Sequence, residues 1–104
     1  MIVTTTQGIP GREITEILGL ARGNSVRARH AGRDIMAGLR NIVGGEISEC
    51  AKLQAETREM ATRRMIQFAE SLGADAVVGI RYTTSMITSG ASEILAYGTA
   101  VKLS

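Results

Sequence analysis

The pattern of apolar and polar positions predicts strands near both ends of the chain and helices between them. A β-branched run at residues 2–5 and alternating apolar residues over 13–28 predict two strands. Within the second strand, Gly19 indicates a β-bulge, and Gly23 with Asn24 indicates a turn or kink. Residues 75–87 and 92–103 predict two further strands, joined by the short segment TSGA as a hairpin.

Between these strands the period lengthens to that of a helix. Residues 34–43 predict a short amphipathic helix. A longer helix follows, with Ser48 as its predicted N-cap and Gly73 as its predicted end. The predicted core face of the long helix consists of Ile47, Cys50, Ala51, Ala61, Met65, Phe68, Ala69 and Leu72. The order β-β-α-α-β-β predicts a single α+β domain over residues 1–104, in which one long and one short helix pack on an antiparallel sheet.

Composition adds an expectation about assembly. Only 3% of the 104 residues are aromatic, so small and aliphatic side chains must fill the core, and a small domain with a thin core often gains stability from neighbouring subunits. We therefore expect a homo-oligomer. Its predicted interface has two parts: a helix surface away from the core face, and the small-residue side of the last strand. The helix surface contains Leu53 and Met60, and the strand side contains Ala96, Gly98 and Ala100.

The same composition limits the setting of the protein. A single cysteine allows no internal disulfide and is typical of a cytoplasmic protein. No apolar run approaches the roughly 20 residues that a membrane span needs, so we expect no membrane partner.

Two residues with distinctive chemistry, His30 and Cys50, are the only members of their type in the chain. A soft metal ion takes three or four thiolate or imidazole ligands, so a site built on this pair needs ligands from several subunits or the sulfur of a methionine. The candidate methionines are Met36, Met60, Met65 and Met86. The alternative is that Cys50 is a small core residue and His30 belongs to a basic segment. No residues mark a catalytic partner for the cysteine, and the chain has no P-loop, so we predict no enzyme and no catalytic residue.

The basic segment is the second candidate for binding. Arg22, Arg27, Arg29 and Arg33 occur without an intervening acid, as is typical of a phosphate- or nucleic-acid-binding surface. A net charge of only +2 and the lack of interleaved aromatic residues argue against nucleic acid. Alternatively, these arginines pair with acids of a neighbouring subunit: Glu46, Glu49, Glu56 and Glu59.

Several segments together carry a resemblance to a known family. RNIVGGE, LGADAVVGI and YGTAVK, with the opening MIVTTT and the pair Arg33-Asp34, resemble the YbjQ-like family of small bacterial and archaeal proteins. The resemblance covers nearly the whole chain in the same order. It implies a dodecin-like α+β fold, a cytosolic setting and a ring-shaped homopentamer. The family's usual label implies a heavy-metal ion as the ligand to look for.

Overall fold

Four strands and one helix make up the described part of the chain. A computed structural model describes residues 1–27, 45–88 and 90–104, without the side chains of residues 45–51. The elements are β1 (Ile2–Val3), β2 (Ile14–Arg27), α1 (Gly45–Ser71), β3 (Ala76–Thr88) and β4 (Ala91–Leu103). The strands form one sheet in the order β1-β3-β4-β2, and α1 packs across one face of it. The α+β prediction is thus confirmed, whereas the predicted short helix at 34–43 lies outside the described residues.

The sheet is mixed rather than wholly antiparallel as predicted. β4 pairs antiparallel with both β2 and β3, but β1 runs parallel to β3. Thr4 donates its backbone N–H to the carbonyl of Val77 at 3.0 Å, so the first residues extend the β3 edge. Residues 4–13 then cross to the opposite edge, where β2 begins. A parallel pair requires such a crossover, which a reading of each strand by itself does not reveal.

The second strand confirms one prediction and corrects another. The pairing of β2 with β4 shifts register between Ile17 and Gly19, and Gly19 has a φ of 133°, which confirms the bulge. The predicted turn at Gly23 and Asn24 is wrong, since β2 continues through both residues. Glycine is needed at position 23 because the backbone of α1 at Ala61 and Met65 lies where a side chain would project.

The long helix ends as predicted but begins earlier. α1 starts at Gly45, ahead of the predicted N-cap at Ser48. At its other end Gly73 has a φ of 78° and donates its N–H to the Glu70 carbonyl, while Ala74 donates to that of Ala69. These two bonds form a Schellman motif, so the predicted role of Gly73 is confirmed. No helix within the described ranges is long and apolar enough to cross a membrane.

Small side chains let α1 lie close to the sheet. Leu72 was predicted to join the core, but it follows the last helical residue and is exposed. On the opposite side of the sheet, the N-terminal segment covers a smaller cluster around Val78 and Val101. The main buried cluster consists of Ala21, Ala61, Met65, Ala69, Val77, Ile80, Ile94, Ala96 and Ala100.

Candidate functional site

The face of the sheet away from α1 retains exposed apolar side chains. Pairing places Ala21 opposite Gly98 on the helix side, so Leu20 and Val26 point away from α1. The bulge at Gly19 brings Ile17, which lies opposite Val101, to the same face. Ile17, Leu20 and Val26 of β2 are 70%, 54% and 50% exposed. Beside them on β4 lie two half-buried residues, Leu95 and Tyr97. We call these five residues the open face.

Two edges of this sheet have no strand partner within residues 1–27, 45–88 and 90–104. Among the described residues, β2 pairs only with β4, so its other edge is free along the strand. Residues 81–88 of β3 likewise pair with β4 alone, because β1 reaches only the beginning of β3. This outer part of the β3–β4 hairpin is exposed, and Met86 near its tip is 78% exposed. Free edges next to an apolar face are typical of sheets that pair with another chain.

The structure divides the predicted interface residues into two groups. Leu53 is half-buried and Met60 is 37% exposed on α1, so this helix surface remains a prediction. For the small-residue side of β4, the structure corrects the predicted interface. Ala96 and Ala100 have no exposed surface, and Gly98 is buried against β3.

The close backbone approach expected for Ala96, Gly98 and Ala100 therefore occurs within one chain. The helix α1 and strand β3 supply it, which leaves these three residues no surface for a second subunit. The apolar residues of β2 on the other face of the sheet are a sequence signal for a contact surface, but the sequence analysis used their alternation only to predict a strand.

Arg27 is engaged within its own chain. Its Nη2 lies 3.3 Å from Oε2 of Glu56, and its Nε donates to Oγ1 of Thr57 at 3.0 Å. Thr57 in turn donates to the carbonyl of Leu53 at 2.7 Å. Glu56 is thus a partner of Arg27 within the chain, and its pairing with an arginine of a neighbouring subunit stays a prediction. Arg29, Arg33 and His30 lie outside the described residues.

Arg22 contacts a residue that the sequence did not connect with it. Its Cζ lies 5.5 Å from the centroid of the Phe68 ring, within the range of a cation–π interaction. Beside it, Nη1 of Arg64 donates to the carbonyl of Asn24 at 2.7 Å. Arg64 was not among the predicted basic residues because it belongs to α1, far along the chain from the basic segment. The contact between β2 and α1 brings the two guanidinium groups to one cleft.

Comparison with known proteins places this chain in a family. A family model described as "Putative heavy-metal-binding", that of the YbjQ-like proteins, matches residues 1–104. A UPF0145 protein of Vibrio campbellii is 60% identical over 99% of both chains. Another from Methanosarcina acetivorans is 57% identical over 99% of this chain and 97% of its own length. The chain belongs to the YbjQ-like family.

A solved structure extends the comparison to the fold. A protein with unknown function from Pediococcus pentosaceus, of the DUF74 family, superposes with a TM-score of 0.66. The alignment covers 100% of this chain and 98% of that one at 18% identity, which shows a shared fold and nothing more.

The description of the YbjQ-like family names a heavy metal, and the described residues show whether their side chains alone could bind one. In the described ranges no three His, Cys, Asp or Glu side chains come together as metal ligands would. Cys50 lies in the first part of α1, where side chains are outside the description, and His30 lies outside it entirely. Met65, a further soft donor, is fully buried in the core. The described residues alone therefore do not fit a metal ion, and the roles of Cys50 and His30 stay predictions.

Proposed function

We propose that this YbjQ-like chain is a non-enzymatic subunit that assembles with copies of itself into a closed ring in the cytoplasm. The observation that carries the proposal is the open face, bordered by two free sheet edges. Fully burying a Val, Leu or Ile side chain contributes about 1.5–3 kcal/mol relative to exposing it. Covering the exposed halves of Ile17, Leu20 and Val26 would contribute roughly 3 kcal/mol per subunit, which is substantial for a small domain.

The dimensions of the chain support the same proposal. Its radius of gyration is 17.0 Å and its extents are 55 × 24 × 17 Å. A compact domain of this length has a radius of about 13 Å. Strands of 13 or 14 residues explain the elongation, since 13 residues span about 43 Å at 3.3 Å each. A long, thin subunit leaves much of its surface for neighbours.

The two free edges favour a ring over a symmetric dimer. The β2 edge and the outer edge of β3 differ in sequence and lie on opposite sides of the sheet. Pairing one with the other is a head-to-tail contact, which gives a ring when its rotation closes. The family resemblance supplies the subunit count of five, together with a dodecin-like arrangement that includes the second helix.

The heavy-metal role enters this proposal through the family's description and through two residues. Assembly would supply several copies of Cys50 and His30, which is what a soft metal ion needs from a chain with one of each. Native mass spectrometry after incubation with Zn²⁺ should show metal retained by the wild type and lost by Cys50→Ala. Equal retention by both proteins would remove Cys50 as a ligand.

Assembly itself is tested by sedimentation velocity at micromolar concentration, with wild type compared to two single variants. Leu20→Glu places a charge on the open face and should dissociate the ring while far-UV circular dichroism retains the helix signal. Met60→Glu places the same charge on the outer surface of α1 and tests the interface predicted there. Dissociation by Met60→Glu alone would move the interface to α1, and a monomeric wild type would refute the proposal.

A further inference from the structure

A cleft at the contact between β2 and α1 contains two guanidinium groups and two apolar side chains. Its volume is about 360 Å³, within the usual range for sites of small molecules. Its floor includes the backbone of Gly23, which is buried. The lining residues are Arg22, Gly23, Asn24, Arg64, Phe68, Glu93 and Leu95.

Both arginines are held in place without using up their hydrogen-bonding capacity. Arg64 donates one of the five N–H groups of its guanidinium to the Asn24 carbonyl. Arg22 is held over the Phe68 ring. In the part of the chain that the structure describes, the one ion pair is Arg27 with Glu56. Two positioned cations thus face the cleft, and neither forms an ion pair with a described residue, an arrangement suited to a carboxylate or phosphate group.

The remaining lining limits the charge of the ligand. Glu93 lines the same cleft, and its Oε2 accepts a hydrogen bond of 2.8 Å from Nδ2 of Asn24. This carboxylate repels any further negative charge on a ligand, so the cleft suits a monoanion better than a polyanion such as a nucleic-acid backbone. Phe68 and Leu95, both half-buried, offer apolar contact to the rest of the molecule.

We infer that this cleft binds a small organic monocarboxylate, with its carboxylate between Arg22 and Arg64 and its apolar body against Phe68 and Leu95. The site is formed by a single chain, although Leu95 also belongs to the open face, so the cleft and the proposed ring interface share that residue. The cleft also differs from the basic segment of the sequence, because only Arg22 is common to both.

Benzoate is a suitable probe, with two partial analogues as comparators. Benzamide keeps the apolar ring without the charge, and inorganic phosphate keeps the charge without the ring. Isothermal titration calorimetry of the full-length protein should show saturable binding of benzoate, with the two comparators at least tenfold weaker. Phosphate that binds as tightly as benzoate would overturn the inference, because charge alone would then account for the binding.

Three charge-removing variants locate the site. Arg22→Gln and Arg64→Gln should each weaken benzoate binding about tenfold, as expected for the loss of a charge-assisted hydrogen bond. The matched control is Arg63→Gln, which removes the same charge from the adjacent, exposed residue of α1 that does not line the cleft. The affinity of Arg63→Gln for benzoate should differ less than twofold from that of the wild type.

Each other outcome has a defined meaning. Equal weakening by Arg63→Gln and Arg64→Gln would show a general charge effect and refute the site. No binding of benzoate to the wild type would refute it as well, including the case in which a second subunit covers the cleft. If Arg64→Gln alters the circular dichroism spectrum, Arg22→Gln decides the question, since the exposed Arg22 makes no hydrogen bond among the described side chains.

Discussion

Replacing Gly23 by alanine should destabilise the protein more than any other exchange of glycine for alanine in the described chain. A Cβ at this position would lie 2.7 Å from the carbonyl carbon of Arg64 and closer still to Met65 N and Ala61 O. All three atoms belong to the backbone of α1, so no side-chain rotation relieves the overlap. The helix must move away from the sheet by about 1 Å to restore ordinary contact distances.

The cost of that displacement can be estimated from what lies beneath the helix. Ala61, Met65 and Ala69 are fully buried against the sheet. A gap of 0.5–1 Å forfeits about a quarter to a half of the dispersion energy of each contact. Truncating a buried Met to Ala costs about 2–5 kcal/mol, so losing a quarter to a half of such contacts, chiefly at Met65, should cost roughly 1–3 kcal/mol, which is the usual cost of overpacking a core. The smaller flexibility of alanine in the unfolded chain returns only about 0.4–1 kcal/mol.

Urea denaturation followed by circular dichroism measures this difference, at one fixed subunit concentration because the proposed assembly would contribute to stability. The control is Gly8→Ala, where a Cβ meets no atom within 4 Å and φ is not positive. This control should be neutral or slightly stabilising. Gly98→Ala should fall between the two, because a Cβ there would meet one backbone atom, the Val78 oxygen at 2.9 Å, whereas its nearest neighbour, Cγ1 of Val77 at 2.7 Å, is a side-chain atom. Equal stability of Gly23→Ala and Gly8→Ala would show that α1 does not rest on β2 at Gly23.

Two further substitutions test single features of α1. Gly73→Ala should cost about 1 kcal/mol of unfolding free energy, because a φ of 78° strains an L-residue, while the new methyl would meet only Nζ of the Lys102 side chain, at an ordinary contact distance of 4.0 Å. An unchanged urea midpoint would contradict the Schellman motif. Thr57→Val should cost about 1 kcal/mol, because it removes the bonds to Arg27 and Leu53 with little change of volume. If the effects of Arg27→Ala and Thr57→Val on the free energy of unfolding are strictly additive in a double-mutant cycle, the hydrogen bond between Arg27 and Thr57 contributes nothing to stability.

The elements of the fold were predictable where one local rule decides the structure. Alternation located β2, β3 and β4, and a glycine after a long helical period located the end of α1 at Gly73. The bulge at Gly19 was also predictable from a glycine in an alternating segment. Each of these signals depends on residues that are neighbours along the chain.

Features that depend on distant residues were not predictable in this way. The parallel pairing of β1 with β3 joins Ile2 to Ala76, and nothing in either segment specifies the direction of the pairing. Gly23 was read as a turn because glycine favours turns, whereas its actual constraint is the backbone of α1 about forty residues later along the chain. The cleft arginines Arg22 and Arg64 escaped prediction for the same reason, since only the packing of α1 on β2 makes them neighbours.

The correction at β4 also limits where the chain can associate. Small residues were expected to accept a second subunit, because a bare strand side allows another backbone to approach closely. Only one other backbone can lie close against one side of a strand, and α1 of the same chain already lies against Ala96 and Ala100. Among the described residues, the proposed contacts between subunits would therefore use either the open face with its free edges or the outer surface of α1. The open face has larger and more exposed apolar side chains, and its edges add unsatisfied backbone groups, so both terms favour association there.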